Sequence, residues 1–314
     1  MGRIGYSRCI FFSRSLASPK LRIGLAVILW TASFGATGCD KLGLGGDDSP
    51  TAPSGPPPAG TTIRYAPVGA SDVSGYGSSA PCFPYTDCPQ GTGYAFVAAR
   101  QLRAQNYTVT VTNNGMPTAV IGRDFQNLGQ QYGKEILGNF IEHQMPFVPV
   151  ASTFVTIFAG ANDVNVITAA LGGGAAGTGD RSAYIDQQVR NFGNDYTTLL
   201  AGIRAIAGSA RIIVLNLPNI AGMPFRAQSP LAERQAAQRA SVGMTTTVIN
   251  TLPNVTVVDL MCDQRMYRSS IYFSDGFHPN DTGYAIIADE IVKALTLSSY
   301  PAPKTSCAQM TLVP

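Results

Sequence analysis

A histidine and an aspartate near the carboxyl end of the chain are the residues best suited to chemistry. His278 is one of only two histidines in 314 residues, and Asp275 precedes it by three positions within residues 272–281. A catalytic histidine needs an acceptor for its Nδ1–H, which fixes the tautomer and stabilises the imidazolium. Asp275 can supply it locally, and Asp259, at the end of a predicted strand, is less well placed. The alternative interpretation of His278 is a solvated residue in a surface turn. The other histidine, His143, is interpreted as a solvated or packing residue and not as a catalytic one.

Alternating β-like and helical segments predict the elements that position these residues. Strands are expected at 63–68, 107–112, 154–158, 211–217 and 255–260. Helices are expected at 94–105, around 133–142, and at 186–207, 229–250 and 282–295. This alternation predicts a three-layer α/β/α fold with a five-stranded parallel sheet and helices on both faces. The sequence shows no internal repeat and no second linker, so residues 61–314 are expected to form one domain.

Polar or glycine positions follow the first three predicted strands. Ser71 follows the first strand, Gly115 the second and Asn162 the third, while His278 lies in the loop after the fifth. In parallel sheets functional groups collect at the carboxyl ends of the strands, so we expect these four residues at one edge. Each alone has an ordinary interpretation as a turn residue or a helix cap. Their joint occurrence favours a catalytic site.

With these residues in place, the chain resembles the SGNH hydrolases, also called GDSL esterases and lipases, over most of residues 61–297. The matching blocks are GASDVSGYG at 69–77, NNG at 113–115, GAND at 160–163 and DGFHP at 275–279. Ala70 departs from the pattern, because the family usually has Asp before the nucleophile. Four blocks in order are a more specific signal than any one of them. The resemblance implies a flavodoxin-like α/β/α fold.

The resemblance also implies a serine esterase or lipase mechanism. Ser71 would attack an ester carbonyl, and His278, oriented by Asp275, would pass the proton to the leaving alcohol. The N–H groups of Ser71 and Gly115 and the amide of Asn162 would form the oxyanion hole. No cofactor and no metal are implied. A metal-dependent hydrolase is disfavoured because a chain with two histidines has no dense ligand cluster.

Two other functions within the same fold remain open alongside hydrolysis, an acyl or acetyl transferase and a carbohydrate deacetylase. A non-catalytic envelope-binding lipoprotein is an alternative from another class. The family's substrates include short-chain esters, lipids, phospholipids and acetylated sugars. Loops at 78–91, 171–179 and 220–229 are expected to set specificity, the second as a glycine-rich lid and the third as an apolar wall. The absence of a long apolar lid helix from the sequence pattern favours small or carbohydrate-linked acyl groups.

Residues 1–38 predict a signal peptide. Five basic residues accompany an apolar run at 23–38 that is too short for a typical membrane span. The run ends in ATGC at 36–39, which resembles the lipobox of bacterial lipoproteins, so Cys39 is expected to carry lipid; an ordinary cleaved signal is the alternative. Residues 39–60 form a Pro- and Gly-rich tether with a mean reach of about 25 Å. The expected location is the bacterial cell envelope, periplasm-facing or at the cell surface, with contact to the membrane through the anchor. Asp40 resembles an inner-membrane retention signal.

Charge and cysteine content narrow the partners. Removal of residues 1–38 takes away five basic and no acidic residues, so the net charge changes from +3 to −2 and nothing indicates a nucleic-acid partner. Cys82, Cys88, Cys262 and Cys307 remain, an even number in an exported protein. They allow three pairings, of which Cys82–Cys88 with Cys262–Cys307 is the simplest. A four-cysteine metal site is the rival, but the spacing lacks C-x-x-C pairs. We expect a monomer.

Overall fold

A computed structural model describes residues 55–173 and 175–314. The predicted signal peptide, the lipidation position Cys39 and most of the predicted tether lie outside the described residues. The strands are β1 (Thr62–Gly69), β2 (Thr108–Val111), β3 (Phe154–Phe158), β4 (Arg211–Leu215) and β5 (Thr256–Val258). They form one sheet in the order β2-β1-β3-β4-β5, and every neighbouring pair is parallel. The prediction of a five-stranded parallel α/β fold is confirmed.

The described part of the chain has seven α-helices. They are α1 (Tyr94–Ala104), α2 (Arg123–Gln131), α3 (Phe140–His143), α4 (Ala161–Gly173), α5 (Arg181–Ile206), α6 (Leu231–Gly243) and α7 (Asp281–Thr296). Helix α6 continues as a π-helical turn (Met244–Val248) and a 3-10 turn (Ile249–Thr251). None of the helices at the described positions is long and apolar enough to cross a bilayer.

Two helix predictions were wrong. The helix expected around 133–142 is displaced: α2 ends at Gln131, Gly133 adopts a left-handed conformation (φ 72°), and helical structure returns only in the short α3. Helix α4 was not predicted, although it starts in the GAND block and takes up the first three residues of the expected lid segment. Its residues Val164, Val166, Ile167, Ala170 and Leu171 are buried. Because apolar residues surround the axis, the segment has little of the amphipathic periodicity that reveals a surface helix.

The core lies against both faces of the sheet. β3 is buried at four of its five positions and β4 likewise, and the Tyr65 ring of β1 stacks on Phe154 of β3 with centroids 4.5 Å apart. β3 and β4, buried on both faces, appear as continuous apolar runs, whereas the edge strand β2 has an alternating pattern with exposed positions. The sequence locates all five strands within two residues of their observed ends.

Two disulfides fix loops outside the sheet. Cys82–Cys88 closes a small loop after β1, and Cys262–Cys307 ties the C-terminal segment to the loop after β5. The simplest of the three predicted pairings is therefore confirmed, which leaves no cysteine quartet for the rival metal site.

Candidate active site

The turn after β1 places Ser71 at the carboxyl edge of the sheet. β1 ends at Gly69, and the turn is closed by N–H···O hydrogen bonds from Tyr76 to Ser71 (2.9 Å) and from Gly75 to Asp72 (3.2 Å). A side chain at Gly69 would meet the carbonyl oxygen of Phe158 and the Val73 side chain, so the tight turn requires glycine. The Ser71 side chain is nearly buried in this turn.

Asp275 and His278 form one locally closed unit. Oδ1 of Asp275 accepts the backbone N–H groups of Phe277 (2.9 Å) and His278 (3.0 Å), and Oδ2 lies 2.6 Å from His278 Nδ1. Partial burial raises the pKa of Asp275, but the hydrogen bonds from His278 and Phe277 outweigh it and hold that pKa below its ordinary value. The carboxylate is therefore ionised at neutral pH and fixes the imidazole orientation.

The structure brings Ser71, His278 and Asp275 into one hydrogen-bonded chain. The Ser71 Oγ lies 2.8 Å from His278 Nε2, on the ring nitrogen opposite the one that contacts Asp275. This separation is within hydrogen-bond reach of a general base and its nucleophile. The serine lies 207 positions before the histidine in the chain, so this contact depends on the fold as a whole.

Neighbouring elements hold the histidine loop. Phe273 N–H donates to the His278 carbonyl (2.8 Å), and Asn280 caps α7 while its side-chain amide donates to the Tyr272 carbonyl (3.1 Å). Gly276 has φ 70°, and a Cβ there would lie 2.7 Å from the backbone nitrogen of Phe225. The glycine in the DGFHP block therefore permits both the turn and its close contact with the loop after β4.

Asn162 lies at the same small cavity as Ser71, whereas Gly115 does not. Asn162 lies in the first turn of α4, its Nδ2 donates to the Ala119 carbonyl (2.9 Å), and Ser71, Ala119 and Asn162 line one small cavity of ≈ 20 Å³, measured for the centre of a water-sized sphere. The Gly115 N–H donates instead to Asn113 Oδ1 (3.0 Å), and the residue lines neither cavity beside Ser71. The oxyanion role of Gly115 stays a prediction.

The reason for a glycine at position 115 is visible in the packing. A Cβ there would lie 2.7 Å from the Val73 side chain, so Gly115 permits the turn after β1 to pack closely.

Sequence reasoning did not identify Ala119, whose carbonyl oxygen accepts the hydrogen bond from Asn162 Nδ2. No sequence motif marks this position. Only the structure does, because Thr118 beside Ala119 adopts a left-handed conformation (φ 60°) that non-glycine residues rarely take.

A second, apolar cavity of ≈ 40 Å³ by the same measure opens beside Ser71 and His278. Its walls include Phe158, Ile220, Met223, Met266, Tyr272 and Ile287. We call it the apolar cavity. Wider grooves occur at the opposite end of β4 and between α5 and α6, but neither contains a predicted site residue. We therefore place the site at the small cavities, where the reactive groups converge.

Two buried carboxyl groups flank the site. Burial raises the pKa of Asp72 to about 7 against opposing hydrogen bonds from the backbone N–H groups of Asp72 and Ala70. Burial likewise raises the pKa of Asp163 to about 7, although Oδ1 accepts the Ile121 N–H (3.0 Å). This hydrogen bond joins α4 to the segment before α2, so Asp163 has a structural role.

The two rejected candidates are engaged elsewhere. Asp259 accepts hydrogen bonds from Asn216 Nδ2 (3.0 Å) and from the Lys304 N–H (2.9 Å). His143 Nδ1 accepts the Asn139 N–H (3.2 Å), a packing arrangement. Across the described ranges, 55–173 and 175–314, no group of three or more His, Cys, Asp and Glu side chains is arranged to hold a metal.

Solved structures that are similar to this chain include lipases and an esterase. A lipase from a goat rumen metagenome is 16% identical and aligns over 74% of this chain and 97% of its own, with a TM-score of 0.50. An acetyl xylan esterase from Geobacillus stearothermophilus (15% identity, 77% and 99% coverage, TM-score 0.46) and phospholipase A1 from Streptomyces albidoflavus NA297 (17%, 74% and 98%, 0.45) are also similar. At such identity these similarities concern the fold alone.

Among curated proteins, none matches the chain. The model of the GDSL-like Lipase/Acylhydrolase family matches residues 68–286, a span that contains Ser71, Asn162, Asp275 and His278. This match covers more than half of the chain, which therefore belongs to the GDSL-like lipase/acylhydrolase family.

Proposed function

We propose that this protein is a serine esterase that hydrolyses carboxylic esters with Ser71 as the nucleophile. The observation that carries the proposal is the continuous hydrogen-bonded chain from Ser71 Oγ through His278 to Asp275. Family membership supports hydrolase chemistry in general, and the geometry of this hydrogen-bonded chain supports the proposed roles.

In the acylation step, His278 Nε2 takes the Ser71 proton while Oγ attacks the ester carbonyl. The imidazolium is stabilised by the ionised Asp275 and returns the proton to the alcohol oxygen as the C–O bond breaks. Water then repeats the sequence on the acyl-enzyme and releases the acid. The oxyanion formed in each half is stabilised by the Ser71 N–H and the Asn162 amide, both at the ≈ 20 Å³ cavity.

The test is hydrolysis of p-nitrophenyl acetate, butyrate and decanoate by the purified protein and by Ser71→Ala. Turnover that disappears in the variant supports the nucleophile assignment. Ser74→Ala is the matched control, since Ser74 is buried three residues further along in the same turn region. Equal activity in wild type and Ser71→Ala would show that another residue is the nucleophile. Product partitioning with an added sugar alcohol separates hydrolysis from acyl transfer.

We also propose that the protein is exported and anchored by lipid at Cys39. The charged and apolar pattern of residues 1–39 supports export, and the two disulfides suit an oxidising compartment. Metabolic labelling with a palmitate analogue should mark the wild type and fail to mark Cys39→Ser. Labelling of both the wild type and Cys39→Ser would refute the lipid anchor at Cys39. Size-exclusion chromatography with light scattering would test a separate expectation, that the protein is a monomer.

A further inference from the structure

Two exposed aromatic rings border the catalytic histidine on the open side of the site. Tyr76 is 50% exposed and Phe273 is 42% exposed. The Tyr76 ring centroid lies 4.5 Å from the His278 ring and 6.4 Å from the Phe273 ring, and the two aromatic planes are nearly perpendicular. We propose that Tyr76 and Phe273 bind the alcohol part of the substrate, and that this alcohol is an uncharged carbohydrate. This inference rests on the proposed esterase function.

The backbone of both residues is fixed to the catalytic groups. The Tyr76 N–H donates to the Ser71 carbonyl (2.9 Å), and its own carbonyl accepts the Tyr284 hydroxyl (2.7 Å). The Phe273 N–H donates to the His278 carbonyl (2.8 Å). Anchored backbones keep the two rings beside the imidazole before any ligand arrives, which lowers the ordering cost of binding.

Gly77 permits this arrangement. It adopts φ 89°, and a Cβ at this position would lie 2.9 Å from Phe273 Cβ and 3.0 Å from His278 Cβ. Any side chain would therefore separate the turn that carries Tyr76 from the loop that carries Phe273 and His278. The close approach of the two loops is what creates a surface with two rings.

The position of the rings assigns them to the alcohol. During acylation His278 delivers a proton to the leaving oxygen, so the alcohol must lie against the imidazole. Neither Tyr76 nor Phe273 lines the apolar cavity or the smaller cavity at Asn162. The apolar cavity, which is partly enclosed, is thus available to the acyl group, and the open aromatic surface is left for the alcohol.

The size of the apolar cavity restricts the acyl group. Its ≈ 40 Å³ is a few times the space that one water needs by the same measure, roughly 10–15 Å³. This room suits an acyl group of about two to four carbons, and a longer chain would have to leave through the open side of the cavity. The aromatic surface therefore serves an ester whose bulk lies in the alcohol.

Charge and ring chemistry favour a carbohydrate. Two carboxylates belong to the segments that carry this surface: Asp275, bound to His278, and Asp281, which accepts Ser79 N–H (2.8 Å) and Ser79 Oγ–H (2.6 Å). Negative charge opposes a phosphate-bearing alcohol. Aromatic faces pack against the apolar C–H face of a pyranose, while its hydroxyls stay in water or reach the Tyr76 hydroxyl.

The experiment compares two acetates that share the acyl group, tri-O-acetyl methyl xyloside and ethyl acetate, by pH-stat titration of released acid. We expect Tyr76→Ala and Phe273→Ala each to lower the ratio of kcat/KM for the sugar ester to that for ethyl acetate by roughly 3- to 10-fold. Tyr76→Phe, which keeps the ring, should stay within about 2-fold of wild type. Phe147→Ala removes an exposed ring that packs on Tyr85 instead, and should not change the ratio.

An unchanged ratio in both alanine variants would overturn the carbohydrate site while leaving the esterase intact. If the wild type hydrolyses neither the sugar ester nor ethyl acetate, the proposed esterase function is refuted instead. If an alanine variant does not fold, inhibition of wild-type ethyl acetate hydrolysis by unacetylated xylotetraose gives the answer. Competitive inhibition that weakens in Tyr76→Leu supports the site, and its absence in the wild type overturns it.

Discussion

The carboxyl group of Asp72 gives the most direct test of the physical description of this site. Asp72 follows Ser71, and although the residue is partly accessible, its Oδ2 is buried and has no hydrogen-bond partner among the described residues. Burial raises its pKa from 3.8 to about 7, with the backbone N–H groups of Asp72 and Ala70 opposing the change. The perturbation we choose is Asp72→Asn, which keeps the shape and cannot ionise.

The sign of the effect follows from proton binding. Between pH 3.8 and about 7 the folded chain holds a proton on Asp72 that the unfolded chain releases, so the free energy of unfolding falls as pH rises. The contribution of the Asp72 carboxyl to the free energy of unfolding is fully present below pH 3.8 and is lost by about pH 7. The accumulated difference is on the order of 4 kcal/mol. Asp163 and Asp195, whose pKa values burial raises to about 7 and about 6, act in the same direction in wild type and variant.

Urea unfolding followed by circular dichroism at pH 4, 6 and 8, with disulfides intact, measures the effect. We expect Asp72→Asn to be close to wild type at pH 4 and more stable than wild type at pH 8 by up to about 4 kcal/mol. Asp87→Asn, at an exposed position, controls for the loss of one negative charge. Parallel pH profiles for wild type and Asp72→Asn would show that this carboxyl is solvated and would refute the reasoning.

Three further predictions concern catalysis, specificity and stability. Asn162→Ala should lower kcat for p-nitrophenyl acetate about 100- to 1,000-fold by removing one oxyanion donor, whereas Asn194→Ala, at an exposed position of α5, should lower it far less. Met223→Ala should shift the preference from acetate toward butyrate and longer p-nitrophenyl esters, because Met223 forms part of the wall of the apolar cavity; an unchanged chain-length profile would contradict that placement. Replacing Cys262 and Cys307 together by Ser should reduce the free energy of unfolding in urea by about 4 kcal/mol, since the bridge spans 45 positions; a loss below about 1 kcal/mol would show that the C-terminal segment is held by other contacts.

The part of the site that the sequence predicts best is the part with local contacts. Asp275 and His278 are three residues apart, so one turn of chain already limits their separation. The contact of Ser71 with His278 spans 207 positions and follows only from strand order and direction. Gly115 shows where such reasoning ends: its N–H is the donor of an Asx turn to Asn113, an interaction that Asn commonly makes two residues on, and the sequence pattern did not distinguish this role from an oxyanion donor.

The same distinction explains the fold. The buried strands β3 and β4 leave continuous apolar runs and the edge strand β2 leaves an alternating pattern, and all five strands were located. Helix α4 is packed by α2 and α6, so burial removes the periodicity by which a surface helix is recognised. The error around residues 133–142 has a local cause as well, since Gly133 in the left-handed conformation ends α2 before the apolar segment that suggested a helix.

The loop after β4 and the histidine loop share one support. Phe225 N–H donates to the Gly276 carbonyl (3.2 Å), and the Phe225 ring lies 4.9 Å from the Phe277 ring. The Phe277 ring in turn lies edge-on to the His278 imidazole, with centroids 4.9 Å apart. A displacement of Phe225 is therefore transmitted to the general base through two ring contacts.

Arg226 holds that loop from the other side. It is almost fully buried, pairs with Glu233, and its guanidinium donates to Asn165 Oδ1 (2.7 Å) and Thr168 Oγ1 (2.9 Å) on α4. Met223, part of the wall of the apolar cavity, lies three residues earlier on the same loop. The wall of the apolar cavity and the ring contacts that support the histidine loop consequently share one buried cation, so substitutions at Arg226 should change KM and kcat together, whereas truncation of Met223 alone should act mainly on chain-length preference.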